Sequence, residues 1–128
     1  MNPLALIFNK RDPIYMQVMH HFRRLIVSGE LKPGEEMPSR RQLANQMKIN
    51  PNTVQRAYSE MEEQRLIYTE ANTPSKVTED PDIVKQLKKE WLDQALTHFV
   101  SAIDPVDISL DELMTMIEEK LANRKKGN

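Results

Sequence analysis

Apolar positions in this chain form three short helical stripes, then two brief extended runs, then two long stripes. Ile14, Val18, Phe22, Leu25 and Ile26 recur at three- and four-residue steps, which predicts one buried helical face. Asp12-Pro13 opens that helix with a good N-cap and a good first residue, and Gly29 closes it in the usual left-handed position. Pro33-Gly34 is a turn. Pro38-Ser39 then starts a second, shorter helix whose Leu43, Ala44 and Met47 share a face. Lys48-Ile49-Asn50 interrupts the pattern. Asn50 is a strong N-cap, Pro51 suits the first helical position, and Val54, Ala57, Tyr58 and Met61 mark a third apolar stripe running to about Gln64.

The remaining segments are read in the same way. Before the first helix, Leu4-Ala5-Leu6-Ile7-Phe8 is either a strand or an arm packing on the body. After the third, Leu66–Thr69 and Ser75–Thr78 read as two strands around Asn72-Thr73-Pro74, the outline of a wing. Glu79-Asp80-Pro81-Asp82 is a boundary, with Asp82 placed to cap a helix of about 20 residues. Its apolar positions are Val84, Leu87, Trp91, Ala95, Leu96, Phe99, Val100 and Ile103. Asp104-Pro105 breaks it. Ser109-Leu110-Asp111-Glu112 is a capping box for a last helix with Leu110, Leu113, Met114, Ile117 and Leu121 inward, and residues 124–128 are a frayed basic tail.

Two short helices joined by a tight turn are the signature of a helix-turn-helix. The outward positions of the second are Asn52, Thr53, Gln55 and Arg56, side chains of the kinds that reach base edges and phosphates. Asn52 and Thr53 lie in its first turn, where exposed N–H groups suit an anion; each also serves as a plain capping residue. Gln55 suits adenine, and Arg56 suits guanine or phosphate. Asn50, at the turn, joins the candidate set. Arg40 and Arg41 stand at the positive end of the preceding helix, where the dipole favours acids, so they point to an external phosphate. Glu60, Glu62 and Glu63 imply that the far end of the third helix faces away from DNA.

These residues carry a resemblance. Pro13-Ile14-Tyr15-x-Gln17, Ile26-x-x-Gly29-x-Leu31-x-Pro33-Gly34, Met37-Pro38-Ser39-x-Arg41-x-Leu43-Ala44 and Asn52-Thr53-Val54-x-Arg56-Ala57-Tyr58 together resemble the GntR family of bacterial transcription regulators. With only a helical tail after residue 79, the chain looks like the YtrA-type subfamily. The resemblance implies a DNA contact by Arg41, a bacterial repressor of its own operon, and an ABC-transporter operon as target. It also implies a basic residue where Pro51 stands, leaving Lys48 or Arg56 to substitute. Family wings carry glycines, one commonly near Arg65. This wing has none, and its cation Lys76 lies between Glu70 and Glu79, so phosphate contact falls to Lys76, Thr73 or Ser75.

Charge adds support. Residues 1–56 carry nine Lys or Arg against four acids, and residues 80–128 carry seven against ten, although the net charge is −1. The basic excess coincides with the helix-turn-helix. No cysteine is present, and no apolar run approaches the roughly 20 residues that cross a bilayer. The opening run is too short for a secretory signal. A cytoplasmic protein without membrane contact follows. His20, His21, Arg23 and Arg24 form a solvated basic face rather than a metal site, because adjacent histidines point about 100° apart. Neither a metal nor a cofactor is expected.

The expected fold is mainly α with a small β wing: a winged helix-turn-helix followed by an antiparallel two-helix dimerisation hairpin. Residues 1–11 form an arm or strand, 12–79 the DNA-binding domain and 80–128 the helical dimerisation domain. Val84, Leu87, Trp91, Ala95, Phe99, Leu113, Ile117 and Leu121 need a covering surface. A second copy in a two-fold dimer supplies it, the alternative being the chain's own head. A homodimer also reads palindromic double-stranded DNA, with half-sites about one helical turn apart. Two helices enclose no effector pocket of their own, and the residues specify no small-molecule effector. The competing reading is a winged-helix protein-interaction module. Catalysis is excluded by the lack of a nucleophile–base set, a carboxylate pair or a phosphate loop.

Overall fold

The computed structural model describes residues 5–126. Leu4 of the expected arm and residues 127–128 of the expected tail lie outside the described residues. In chain order the elements are α1 (Ile14–Ser28), α2 (Arg40–Met47), α3 (Pro51–Glu63), β1 (Ile67–Tyr68), β2 (Lys76–Val77), α4 (Pro81–Ile103) and α5 (Leu110–Lys126). The chain divides into two compact units, one ending at Leu92 and one starting at Asp93.

In the first unit α3 is the centre, packed on one side by α1 and on the other by α2. The core joins Val18, Phe22 and Leu25 of α1, Leu43 of α2, and Val54, Tyr58 and Met61 of α3, all fully buried. Phe22 meets Tyr58 edge-to-face at 6.2 Å, the arrangement ring quadrupoles favour. The Tyr58 hydroxyl donates to the Pro38 carbonyl at 2.7 Å, so this buried phenol is satisfied. Burial raises its pKa well above the ordinary value, partly offset by the nearby Arg40 charge.

Local sequence explains most element ends. The Ser39 hydroxyl accepts from the Gln42 N–H at 3.0 Å, and Asn50 Oδ1 accepts from the Asn52 N–H at 2.8 Å. Gly29 ends α1 at φ 82°, with space for a Cβ, so conformation alone selects glycine there. The expected cap at Asp12 is corrected. Pro13 takes the cap position without a side-chain bond. The preceding loop is held instead by Gln17, whose Nε2 donates to the carbonyls of Asn9 and Asp12. Asn9 Oδ1 accepts from the N–H groups of Arg11 and Asp12. Residues 5–8 form no strand; Phe8 packs on the core while Ile7 is exposed.

The wing is shorter than the sequence implied. β1 and β2 pair antiparallel over two residues each, Ile67 opposite Val77 and Tyr68 opposite Lys76. The segment before α2 flanks β2: Met37 N–H donates to the Ser75 carbonyl at 2.7 Å and Val77 N–H to that of Glu35 at 2.9 Å. Arg65 holds φ 65° between α3 and β1, a left-handed conformation that costs a residue with a Cβ roughly 1 kcal/mol. Arg65→Gly is therefore expected to stabilise the chain by up to about 1 kcal/mol, read as a higher urea midpoint. A lower midpoint would show that the Arg65 side chain makes contacts worth more than the strain.

The long helix begins earlier than expected. Asp80, not Asp82, is the cap, its Oδ1 accepting from the Asp82 N–H at 2.9 Å, with Pro81 as first residue. The first turns of α4 belong to the first unit. Leu87 is buried in its core, with Ile83 and Val84 packed alongside, and Trp91 stacks on His20 at 4.7 Å between centroids. Val84, Leu87 and Trp91, expected at a dimer interface, are thus largely consumed within the head. The expected solvated face is corrected at His21, which is buried; His20 and Arg24 are exposed, with the His20 ring against the indole.

Burial, then the charges of Arg23, Arg24 and His21, holds the His20 pKa below its ordinary 6.5. Because the unfolded chain then binds the proton more readily, stability is full above 6.5 and falls as pH drops through 6.5 toward the folded value. His20→Gln is expected to flatten that decline, measured by urea unfolding at about pH 7.5 and about pH 5.5. An unchanged decline would place its source elsewhere.

In the second unit α4 runs on to Ile103, a turn follows, and Ser109 caps α5 by accepting from the Glu112 N–H at 3.2 Å. Residues 124–126 are helical rather than frayed. Leu113, Ile117 and Phe99 are half-buried and Ala95 exposed. Leu96, Val100, Met114 and Leu121 are about half exposed, and Leu110, expected inward, is 71% exposed. No helix among the described residues is long and apolar enough to cross a membrane.

Candidate nucleic-acid interface

α2 and α3 are joined by a turn that needs one left-handed residue, and Lys48 supplies it at φ 56°. Ile49 and Asn50 follow, and Asn50 restarts the helix. The turn brings the first turn of α3 to the surface. Asn50, Asn52 and Gln55 are exposed there, and Thr53 is half-buried. Gln55 Nε2 donates to the Ser59 hydroxyl at 3.1 Å along the helix, a weak tether that a base edge can replace. Pro51 has no N–H to lose at this end.

The three arginines of the candidate set differ in their surroundings. Arg41 is exposed and, among the described residues, makes no ion pair. Arg56 is held. Its guanidinium lies 3.8 Å from the Tyr15 ring centroid, donates to the Tyr15 hydroxyl at 3.1 Å, and sits 3.6 Å from Glu60. Arg40 is held more firmly, 2.6 Å from Glu62 and over the Tyr58 ring. The dipole argument that assigned Arg40 to an external anion missed this internal one.

Lys76 is half-buried on β2 and makes no ion pair among the described residues; the expected facing acids are engaged otherwise or open. Glu79 accepts from the Tyr68 hydroxyl at 3.3 Å. Tyr15 has a role beyond the motif, as the ring that holds Arg56. The i, i+4 spacing of Arg56 and Glu60 was legible, but the ring that fixes Arg56 comes from 41 residues away. No group of three potential metal ligands occurs among the described residues.

The chain that carries the exposed polar face of α3 is similar to known proteins over most of its length. The pattern described as "Bacterial regulatory proteins, gntR family" covers residues 14–77, which runs from the start of α1 to the end of β2. The HTH-type transcriptional regulator YhcF of Bacillus subtilis is 34% identical over 87% of this chain and 92% of its own. This chain belongs to the GntR family. The HTH-type transcriptional repressor YtrA of Bacillus subtilis is 30% identical over 90% of this chain and 89% of its own, which supports the YtrA-type subfamily. A GntR family transcriptional regulator from Listeria monocytogenes superposes with a TM-score of 0.78 at 33% identity, covering 88% of this chain and 98% of that one. The GntR family comprises transcriptional regulators, not enzymes.

Proposed function

We propose that this GntR regulator is a cytoplasmic homodimeric repressor that reads a palindromic operator in double-stranded DNA upstream of its own operon. The observation that carries the reading is the exposed set Asn50, Asn52 and Gln55 at the start of α3, with half-buried Thr53 among them and exposed Arg41 in the first turn of α2. Arg41 and Lys76 contact phosphates. Asn52, Thr53 and Gln55 meet base edges, and Arg56, steadied by Tyr15, reaches guanine or phosphate. Residues 12–79 are the DNA-binding domain and residues 80–128 the dimerisation domain, with the open apolar faces around Ala95, Phe99, Leu113, Ile117 and Leu121 covered by a second copy. The full-length relative YtrA, named a repressor, supports the sign of regulation. An ABC-transporter operon is the target class that the subfamily resemblance implies.

The test is selection of duplexes from a random pool by the full chain, followed by titration of the selected duplex and a scrambled one at several salt concentrations. A palindromic duplex is expected to bind at least about 1,000-fold tighter than the scrambled one. Its log affinity should fall by about 0.9 per phosphate contact per decade of salt. A pool that yields no enriched sequence and no binding at low salt would overturn the reading in favour of a protein-interaction module.

A further inference from the structure

We infer that Arg40 is a positioning residue that locks the start of α2 and the wing onto α3 through Glu62, and that it is not a phosphate contact; this rests on the DNA-binding reading above. Arg40 Nη2 donates to Glu62 Oε1 at 2.6 Å, and the guanidinium carbon lies 4.9 Å from the centre of the buried Tyr58 ring. Its Nε is buried and without a partner, beyond the reach of an anion arriving from solvent. The same Glu62 oxygen accepts from the Thr69 hydroxyl at 3.1 Å, and the Thr69 and Ser75 hydroxyl oxygens are 2.5 Å apart. Thr69 directly follows β1 and Ser75 directly precedes β2, so Glu62 holds one side of the wing turn directly and the other through Thr69. Ser75 is itself buried, and its carbonyl takes the Met37 N–H just ahead of α2.

The network answers a physical need. A ladder of two residues per strand does not fix a wing by itself, since isolated hairpins are marginal even when longer. Backbone bonds from residues 34–37 restrain β2, and side chains from α2 and α3 add the restraint on the side that follows β1. Removing one partner would leave the other charge half-buried and uncompensated, so the pair is sensitive to loss of either member. The restraint also acts on the adjacent residue. Arg41 projects to solvent from the helical turn that Arg40 pins, so the aim of the exposed arginine depends on the held one. Glu62, whose charge made little sense near DNA, is accounted for as the internal anion of this lock.

The experiment compares Arg40→Met, Arg40→Glu, Glu62→Arg and the exchanged pair Arg40→Glu/Glu62→Arg, titrated into a duplex selected by the unaltered chain. Far-ultraviolet circular dichroism of each variant verifies folding. Arg40→Met is expected to weaken binding about ten-fold with the salt slope unchanged. Arg40→Glu and Glu62→Arg should each weaken it at least as much, and the exchanged pair should return to within about three-fold of the parent. A phosphate contact gives the opposite pattern. The slope in Arg40→Met would then drop by about 0.9 per lost contact, and the exchanged pair would bind no better than Arg40→Glu. Either of those results overturns the proposal, as does parental affinity in Arg40→Met. If Arg40→Glu fails to fold, the slope of Arg40→Met still decides. Failure of the parent chain to select any duplex would strike the DNA-binding reading itself, and is seen before any variant is made.

Discussion

Arg41→Ala is expected to weaken binding to the selected duplex about 100-fold and to shallow its salt dependence. A charge-assisted hydrogen bond lost to a phosphate costs roughly 1.5 kcal/mol or more, and a two-fold dimer loses it twice. At 1.4 kcal/mol per decade, about 3 kcal/mol is about two decades. The slope of log affinity against log salt should fall by about 1.8, or 0.9 for each copy. Because Arg41 is exposed and makes no ion pair among the described residues, unfolding free energy should move by less than about 0.5 kcal/mol. Thr53→Ala should act differently, reducing discrimination between the selected and scrambled duplexes while leaving the slope in place, as a base contact does. Titration of both variants against both duplexes checks this. Parental affinity and slope in Arg41→Ala would remove Arg41 from the interface.

The contrast between Arg40 and Arg41 shows what a linear sequence discloses. Both stand in the first turn of α2, and the dipole argument treats them alike. Their fates diverge because Glu62, 22 residues further on, faces only one of them, and no periodicity reports a partner at that distance. Caps were legible at Ser39 and Asn50 because donor and acceptor lie within three residues of each other. The cap at Asp12 failed for a related reason: the helix starts one residue later, with Pro13 at the cap position, and the Asp12 carboxylate accepts from Asn9 Nδ2 in the loop instead. Stripes on α1, α2 and α3 were legible since each has a single destination. The stripe of α4 has two. Its period is continuous from Ile83 to Ile103, yet Leu87 enters the head's core while Leu96 and Val100 stay open. Apolar spacing shows which face is covered without showing by what, so Val84, Leu87 and Trp91 were grouped with residues whose surroundings differ.

That division of α4 singles out the positions where dimerisation is best tested. Leu96 and Val100 lie one turn apart on α4, each more than half exposed, and neither contributes to the core of the first unit. Leu96→Glu is therefore expected to leave the head folded while placing a charge in the apolar surface that a second copy would cover. The parent should sediment at about twice the chain mass of 14.9 kDa and the variant at the chain mass. Affinity for the palindromic duplex should then fall about 1,000-fold. Once dimerisation links two heads, the second half-site meets its reader at an effective concentration near the millimolar range, and the monomer loses that gain. A duplex carrying one half-site supplies the internal control, since parent and variant should bind it alike. Leu87→Glu would not make this distinction: Leu87 is buried in the head, so loss of DNA binding there would report unfolding as readily as dissociation. If Leu96→Glu remains a dimer with parental affinity, the two-fold contact runs through α5, and the same substitution at Met114 becomes the deciding measurement. If the parent itself sediments as a monomer and still prefers the palindrome, a solution dimer is not what creates the preference, and pairing of the two heads would have to occur on the DNA.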